Sequence, residues 1–237
     1  MSVIEELNFD IDIPDMDFDI SISENGFDNR YLKSKVAKEI KAAKLKYSNA
    51  LKLAKKIKID KGIRYDVIVS GNFIFGDFIE AFVTTNNAKC LEMTISTLSL
   101  DQNNVDSLVN LMKGNYVDKL NLIISDYFYA HERGSLIPYI YDNLDVDDRF
   151  QLASASSHTK VTMFETLGRK KIVMHGSANL RSSSNIEQFT IEENPGLYNF
   201  HFEYHSKIID KYITINKAVK RNKSLRGEAL WKIINKL

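Results

Sequence analysis

Between Arg64 and Ala155, short apolar runs alternate with amphipathic stretches at intervals of about 30 residues. No other feature constrains the fold as tightly, because each short run needs a helical partner to cover it. Arg64–Gly71 reads as a buried strand and leads through Asn72-Phe73-Ile74-Phe75-Gly76 into a helix near Asp77–Thr84, with Asp77 as its N-cap. Cys90–Thr97 is a second strand, followed by an amphipathic helix over Asn104–Met112 that Gly114 closes. Leu120–Ser125 is a third strand, Leu136–Leu144 a helix and Phe150–Ala155 a fourth strand. The rhythm then changes. Thr159–Glu165 and Lys170–Met174 are short strands around the turn Thr166-Leu167-Gly168-Arg169, Ile186–Ile191 is another strand, and Tyr198–Ile215 is helical. The expected fold is α/β: a mixed, largely parallel sheet flanked by helices.

Charge divides the chain into zones. Residues 1–29 hold nine acids and no Lys or Arg, with apolar-acidic alternation around Phe9-Asp10-Ile11 and Phe18-Asp19-Ile20. Pro14 and the like-charge density argue for a flexible tail; the same alternation also suits docking on a protein partner or mimicry of a phosphate backbone. Residues 30–61 invert the sign, with eleven lysines, and Lys33–Ile57 lacks Pro and Gly and reads as helix. Residues 62–215 form the α/β body, and 216–237 a basic helix with an apolar stripe around Trp231. The lysine-rich faces are either solvated surface or platforms that release counterions from a polyanion. The net charge of +1 hides this segregation.

Composition excludes several classes. At 237 residues the chain can bury a sizeable core without staples, and its single cysteine, Cys90, excludes a disulfide scaffold and a cysteine metal cluster. No apolar run is long enough to span a bilayer, and the acidic start is the reverse of a signal peptide, so a soluble, cytoplasmic protein is expected.

Chemistry-bearing residues concentrate between Ser154 and Glu187. His158 and Lys160 flank Thr159 at the start of a strand, where the period of two sends both side chains to one face. An imidazole beside an ammonium suits attack on a phosphoryl group: lysine neutralises a non-bridging oxygen while histidine acts as nucleophile or base. Gly176-Ser177-Ala178-Asn179 follows the next strand; its glycine admits close backbone approach, and Ser177 and Asn179 offer neutral hydrogen bonds. Glu187 is placed to orient the His158 imidazole through its other nitrogen. His175 either contacts substrate or packs at a strand end. His201 and His205, at i,i+4, could ligate zinc, but no third ligand is evident, so neither metal nor cofactor is expected. Phe73, Phe75, Tyr127, Phe128 and Tyr129 fall at strand ends, where they either stack bases or pack the core.

His158-x-Lys160-x(4)-Glu165 followed by Gly176-Ser177-x-Asn179 resembles the phospholipase D superfamily signature, H-x-K-x(4)-D and G-[SG]-x-N. The resemblance runs on to Glu187, spans roughly residues 62–215, and is closest to the single-motif, nuclease-like branch of bacteria and phages. It implies His158 as the nucleophile of a covalent phosphohistidine. Lys160, Ser177 and Asn179 would then hold the non-bridging oxygens, and Glu187 would set the His158 tautomer. It also implies no metal, and two motifs per site, hence a homodimer. Glu165 stands where the family has Asp, a position that supports the motif rather than touching substrate.

Three function classes follow: a DNA or RNA nuclease gripping the backbone with its basic flanks, with the acidic tail covering the groove; a phospholipase D-like binding module without turnover; and, with least support, a lipid phosphodiesterase.

Overall fold

The computed structural model describes residues 41–47, 49–69, 73–181 and 185–212. The acidic segment 1–29, residues 33–40 of the expected lysine-rich helix, Ser70–Asn72 and the basic segment 216–237 lie outside the described residues.

The strands are β1 (Lys41–Tyr47), β2 (Ile63–Val69), β3 (Cys90–Thr97), β4 (Val117–Ser125), β5 (Phe150–Ala155), β6 (Val161–Thr166), β7 (Lys171–Gly176) and β8 (Glu187–Glu193). The helices are α1 (Ala50–Lys56), α2 (Phe75–Thr85), α3 (Gln102–Lys113), α4 (Asp126–Glu132), α5 (Leu136–Leu144) and α6 (Pro195–Lys211). Among the described residues the eight strands form one sheet, ordered β1-β2-β8-β7-β6-β3-β4-β5.

This α/β fold is mixed, but it corrects the expectation of a largely parallel sheet. The β1/β2, β3/β4 and β4/β5 pairs are parallel, whereas β2/β8, β8/β7, β7/β6 and β6/β3 are antiparallel. The strands that precede helical connections do run one way, as the rhythm implies. The last three return through short connections and insert between β2 and β3, so most pairings become antiparallel.

A second correction concerns Lys33–Ile57. Its described part begins with β1, in register with β2 from Lys41↔Ile63 to Tyr47↔Val69, and only then forms α1. Ala and Lys favour helix, yet a neighbouring strand supplies backbone partners and tertiary pairing overrides propensity. Asn49 starts α1 as its N-cap, its side chain accepting from the Lys52 N–H at 2.9 Å. The N-cap of α2 is Ile74 rather than Asp77, which sits in the first turn. Asp101 caps α3 in a capping box: its side chain accepts from Asn104 N at 3.1 Å, while Asn104 Oδ1 accepts from Asp101 N at 2.9 Å. In the β6–β7 turn Arg169 takes the left-handed conformation, at φ 68°.

Alternation along the strands sorts side chains between two layers. On one face Ile95, Leu122, Ile124, Ile172, Met174, Phe189 and Ile191 meet α1, α2, α3 and α5 in the main core, where Phe78 and Phe82 are fully buried. Burying each such ring contributes roughly 3 kcal/mol before cavity effects. On the other face Ile123, Ala153 and Ala155 pack on Ile208 of α6, and Val161, Met163 and Val173 pack near Leu197 and Tyr198.

Candidate active site

The topology collects one end of the sheet into a site. The C-terminal ends of β3, β4, β5 and β7 share that end with the starts of β6 and β8, because β6 and β8 run opposite to their neighbours. Nearly all the motif residues sit along this edge.

His158 lies in the connection between β5 and β6, and its ring is exposed. It does not begin a strand, as the pattern suggested; β6 starts at Val161. The chain instead bends at Ser156, with Ser157 N donating to Ala155 O at 2.7 Å and Thr159 N to Ser157 Oγ at 3.3 Å. Thr159 anchors the connection to β3. Ser96 Oγ donates to the Thr159 carbonyl at 3.1 Å and lies 2.7 Å from its hydroxyl. Sequence reasoning missed Ser96 and Thr159 because only the β3/β6 pairing brings them together. Lys160 is half-buried, and its Nζ donates to the His158 carbonyl at 3.3 Å.

Lys160 leads directly to the second half of the motif. Its carbonyl accepts from Gly176 N at 3.3 Å, and Ser177 N donates to Gln188 O at 2.8 Å. A Cβ on Gly176 would fall 2.2 Å from the Gln188 carbonyl and 2.6 Å from the Phe189 Cα, so only glycine permits β7 and β8 to approach this closely. The Ser177 hydroxyl donates to the Glu187 carboxylate and accepts from Gln188 N at 3.0 Å. Glu187 is therefore engaged with Ser177, and among the described residues the His158 ring has no hydrogen-bond partner.

Asn179 turns back to β3. Its Oδ1 accepts from Leu98 N at 3.2 Å and is 3.5 Å from Thr97 Oγ1. With the amide oxygen held this way, the Nδ2 donors are left for the cleft that Asn179 lines. This cleft encloses about 520 Å³ and brings His158 and Asn179 together with Arg181, Asp126 and Tyr127. Arg181 was not singled out in the sequence; its proximity to Asn179 in the Gly-Ser-Ala-Asn segment was the available signal. Asp126 contributes an opposing charge, and its carboxylate accepts from Ser154 Oγ at 2.7 Å.

Glu165 is at the far end of β6, about 13 Å of strand rise from Val161. It pairs with Arg169 at 3.0 Å rather than reaching the cleft. His175 packs on the α6 side, its ring 6.0 Å from that of His201, and burial lowers its pKa. His201 and His205 are also held down, to about 4, chiefly by burial. His205 Nδ1 donates to the His201 carbonyl at 2.7 Å, and no group of three or more His, Cys, Asp or Glu among the described residues is arranged to hold a metal. Burial pushes the Cys90 thiol up to about 12, which removes it as a nucleophile.

The aromatic residues divide sharply. Phe73, Phe75, Phe128 and Tyr129 are buried, which corrects the expectation that these four could stack bases, whereas Tyr127 is 73% exposed. Among the described residues no helix is long and apolar enough to cross a membrane.

No family model matches the chain, and no curated protein matches it. Among solved structures it is similar to Nuc from Salmonella typhimurium, a phospholipase D family member: 18% identical, TM-score 0.43, covering 54% of this chain and 84% of that one. It is similar to NucT from Helicobacter pylori at 14% identity and TM-score 0.49, covering 64% of this chain and 99% of the other. Phosphatidylserine synthase from Haemophilus influenzae is 10% identical with a TM-score of 0.46, over 64% of this chain and 40% of that one. At such identities a shared chain path does not transfer an activity, and the chemistry of the cleft rests on its own side chains.

Proposed function

We propose that this chain is a metal-independent phosphodiesterase of the phospholipase D type, cleaving DNA or RNA through a phosphohistidine at His158. The observation that carries the reading is a cleft whose lining includes His158, Asn179 and Arg181. A nucleophile between hydrogen-bond donors and a cation suits a phosphodiester, whose non-bridging oxygens gain charge in the transition state.

A His158 ring nitrogen attacks phosphorus, the bond to the leaving oxygen breaks, and that oxygen takes a proton from the partner subunit's His158. Water then attacks the phosphohistidine and gives its proton to the same partner imidazole, releasing a phosphate monoester and restoring His158. A homodimer supplies the second motif. Asn179, Lys160 and Ser177 offset the non-bridging charge, with Glu187 acting as a positioning residue through Ser177. Gly176 sets the strand approach, Glu165 supports β6 through Arg169, and the lysine-rich and C-terminal basic segments grip the backbone.

One observation favours a second reading, a binding module without turnover. The Lys160 ammonium is engaged by the His158 carbonyl, and the Ser177 hydroxyl by Glu187 and Gln188. Two of the phosphate-holding groups thus already have protein partners.

Incubation of the full chain with labelled single-stranded and duplex DNA and RNA in EDTA, alongside His158→Ala, separates the two. Cleavage in EDTA that is lost in the variant, with an acid-labile phosphoprotein trapped on wild type, supports the enzyme. Binding by both proteins without cleavage overturns it in favour of the module.

A further inference from the structure

Tyr127 is unusual among the aromatic residues at this end of the sheet. It follows β4 at the start of α4, lines the cleft beside His158, and remains 73% exposed. An exposed tyrosine on a helix ordinarily samples several rotamers. Here the ring is backed by His131, one turn later, with centroids 3.9 Å apart and planes at 35°. The His131 ring is itself fixed, because its Nδ1 donates to the Tyr127 carbonyl at 2.8 Å. Ser125 ties down the helix start by accepting from Phe128 N at 3.1 Å and donating to Leu98 O at 3.3 Å. The result is a supported aromatic surface on the same cleft as Asn179 and the exposed Arg181.

We infer that Tyr127, backed by His131, is a stacking platform for a nucleobase next to the phosphate held at His158, Asn179 and Arg181, and that the ligand of this cleft is therefore single-stranded nucleic acid. The inference rests on the reading of the cleft as a phosphodiester site. A base inside a duplex has both faces covered by its neighbours, so it cannot lie on a tyrosine without being unstacked first; a single strand meets that requirement cheaply. Stacking on a ring already held by His131 loses little further side-chain freedom. Every base has a π-face, so the platform tolerates sequence, and Arg181 supplies the backbone contact.

Binding, not cleavage, is the test, so that its failure is distinct from failure of the enzyme reading. The full chain carrying His158→Ala is titrated in EDTA at low salt with three fluorescein-labelled probes: a twelve-nucleotide oligothymidine, an abasic chain of the same length, and a duplex. Tyr127→Ala should weaken oligothymidine binding about 5- to 100-fold, leave the abasic and duplex probes nearly unchanged, and be rescued by Tyr127→Trp. His131→Ala should give a smaller loss on the same probe. Oligothymidine binding by Tyr127→Ala as tight as that of the parent, an equal loss on the oligothymidine and abasic probes, or a preference of the parent for duplex, overturns the proposal. So does a change in oligomeric state on sedimentation of Tyr127→Ala, since the ring would then belong to a subunit interface. If the chain cleaves nothing and the Tyr127-dependent preference persists, the platform stands and the enzyme reading falls.

Discussion

His205 should make this fold acid-labile in a defined window. The residue is 1% exposed on α6, and its Nδ1–H donates to the His201 carbonyl at 2.7 Å. That bond fixes the tautomer and leaves Nε2 as a buried lone pair with no partner among the described residues. Protonation would bury a charged N–H with nothing to accept from it. Burial therefore lowers the pKa to about 4, with the bond to the His201 carbonyl opposing the shift only in part. In the unfolded chain the group titrates near its ordinary value of about 6.5. The unfolded state thus binds a proton between pH 6.5 and 4 that the folded state refuses, so stability present above the unfolded pKa is lost as pH falls toward the folded one. Linkage gives a loss of about 2 kcal/mol by pH 5 and about 3 kcal/mol by pH 4, then a plateau.

Urea denaturation followed by circular dichroism at pH 7.5, 6, 5 and 4.5 reads this loss directly, and a domain of this size should melt roughly 4–8 °C lower at pH 5. His205→Leu and His205→Gln remove the titration. Their stabilities, whatever their values at pH 7.5, should fall by about 2 kcal/mol less than wild type on going to pH 5. Burial chiefly holds His201 down and His205 adds to it, so the difference between the curves reads His205 together with its coupling to His201. Wild-type and variant curves running parallel from pH 7.5 to 4.5 would refute the reasoning.

Gly176→Ala drives a Cβ into the Gln188 carbonyl and Phe189 Cα, at 2.2 and 2.6 Å, so β7 and β8 must separate. A loss of about 1–3 kcal/mol in denaturant, with loss of any cleavage, is expected. Glu165→Ala should cost less than about 1 kcal/mol and leave binding and cleavage intact, because its partner Arg169 is 88% exposed; a large loss of activity would give Glu165 a role at the cleft. Asp101→Ala removes the cap of α3 and should lower stability by about 1 kcal/mol, measured by thermal unfolding, without altering nucleic-acid binding.

Local pattern was sufficient for much of the molecule. Cys90–Thr97, Leu136–Leu144 and Phe150–Ala155 coincide with β3, α5 and β5 because each is a short apolar or amphipathic run bounded by its own stop signals. The cluster of chemistry-bearing residues between Ser154 and Glu187 could be singled out in the sequence by residue type, and its proposed roles came from the resemblance to a family signature. Pairing was not legible in the same way. The insertion of β6–β8 between β2 and β3, and the strand formed by Lys41–Tyr47 in a helix-prone stretch, depend on backbone bonds to segments distant in sequence. The same distance hid the link between Ser96 and Thr159, the hold of Leu98 on Asn179, and the meeting of Tyr127 and Arg181 in one cleft. Periodicity reports which face of a segment seeks burial. Only the closed sheet decides which other segment meets that face, and therefore which of five aromatic residues stays in solvent beside His158.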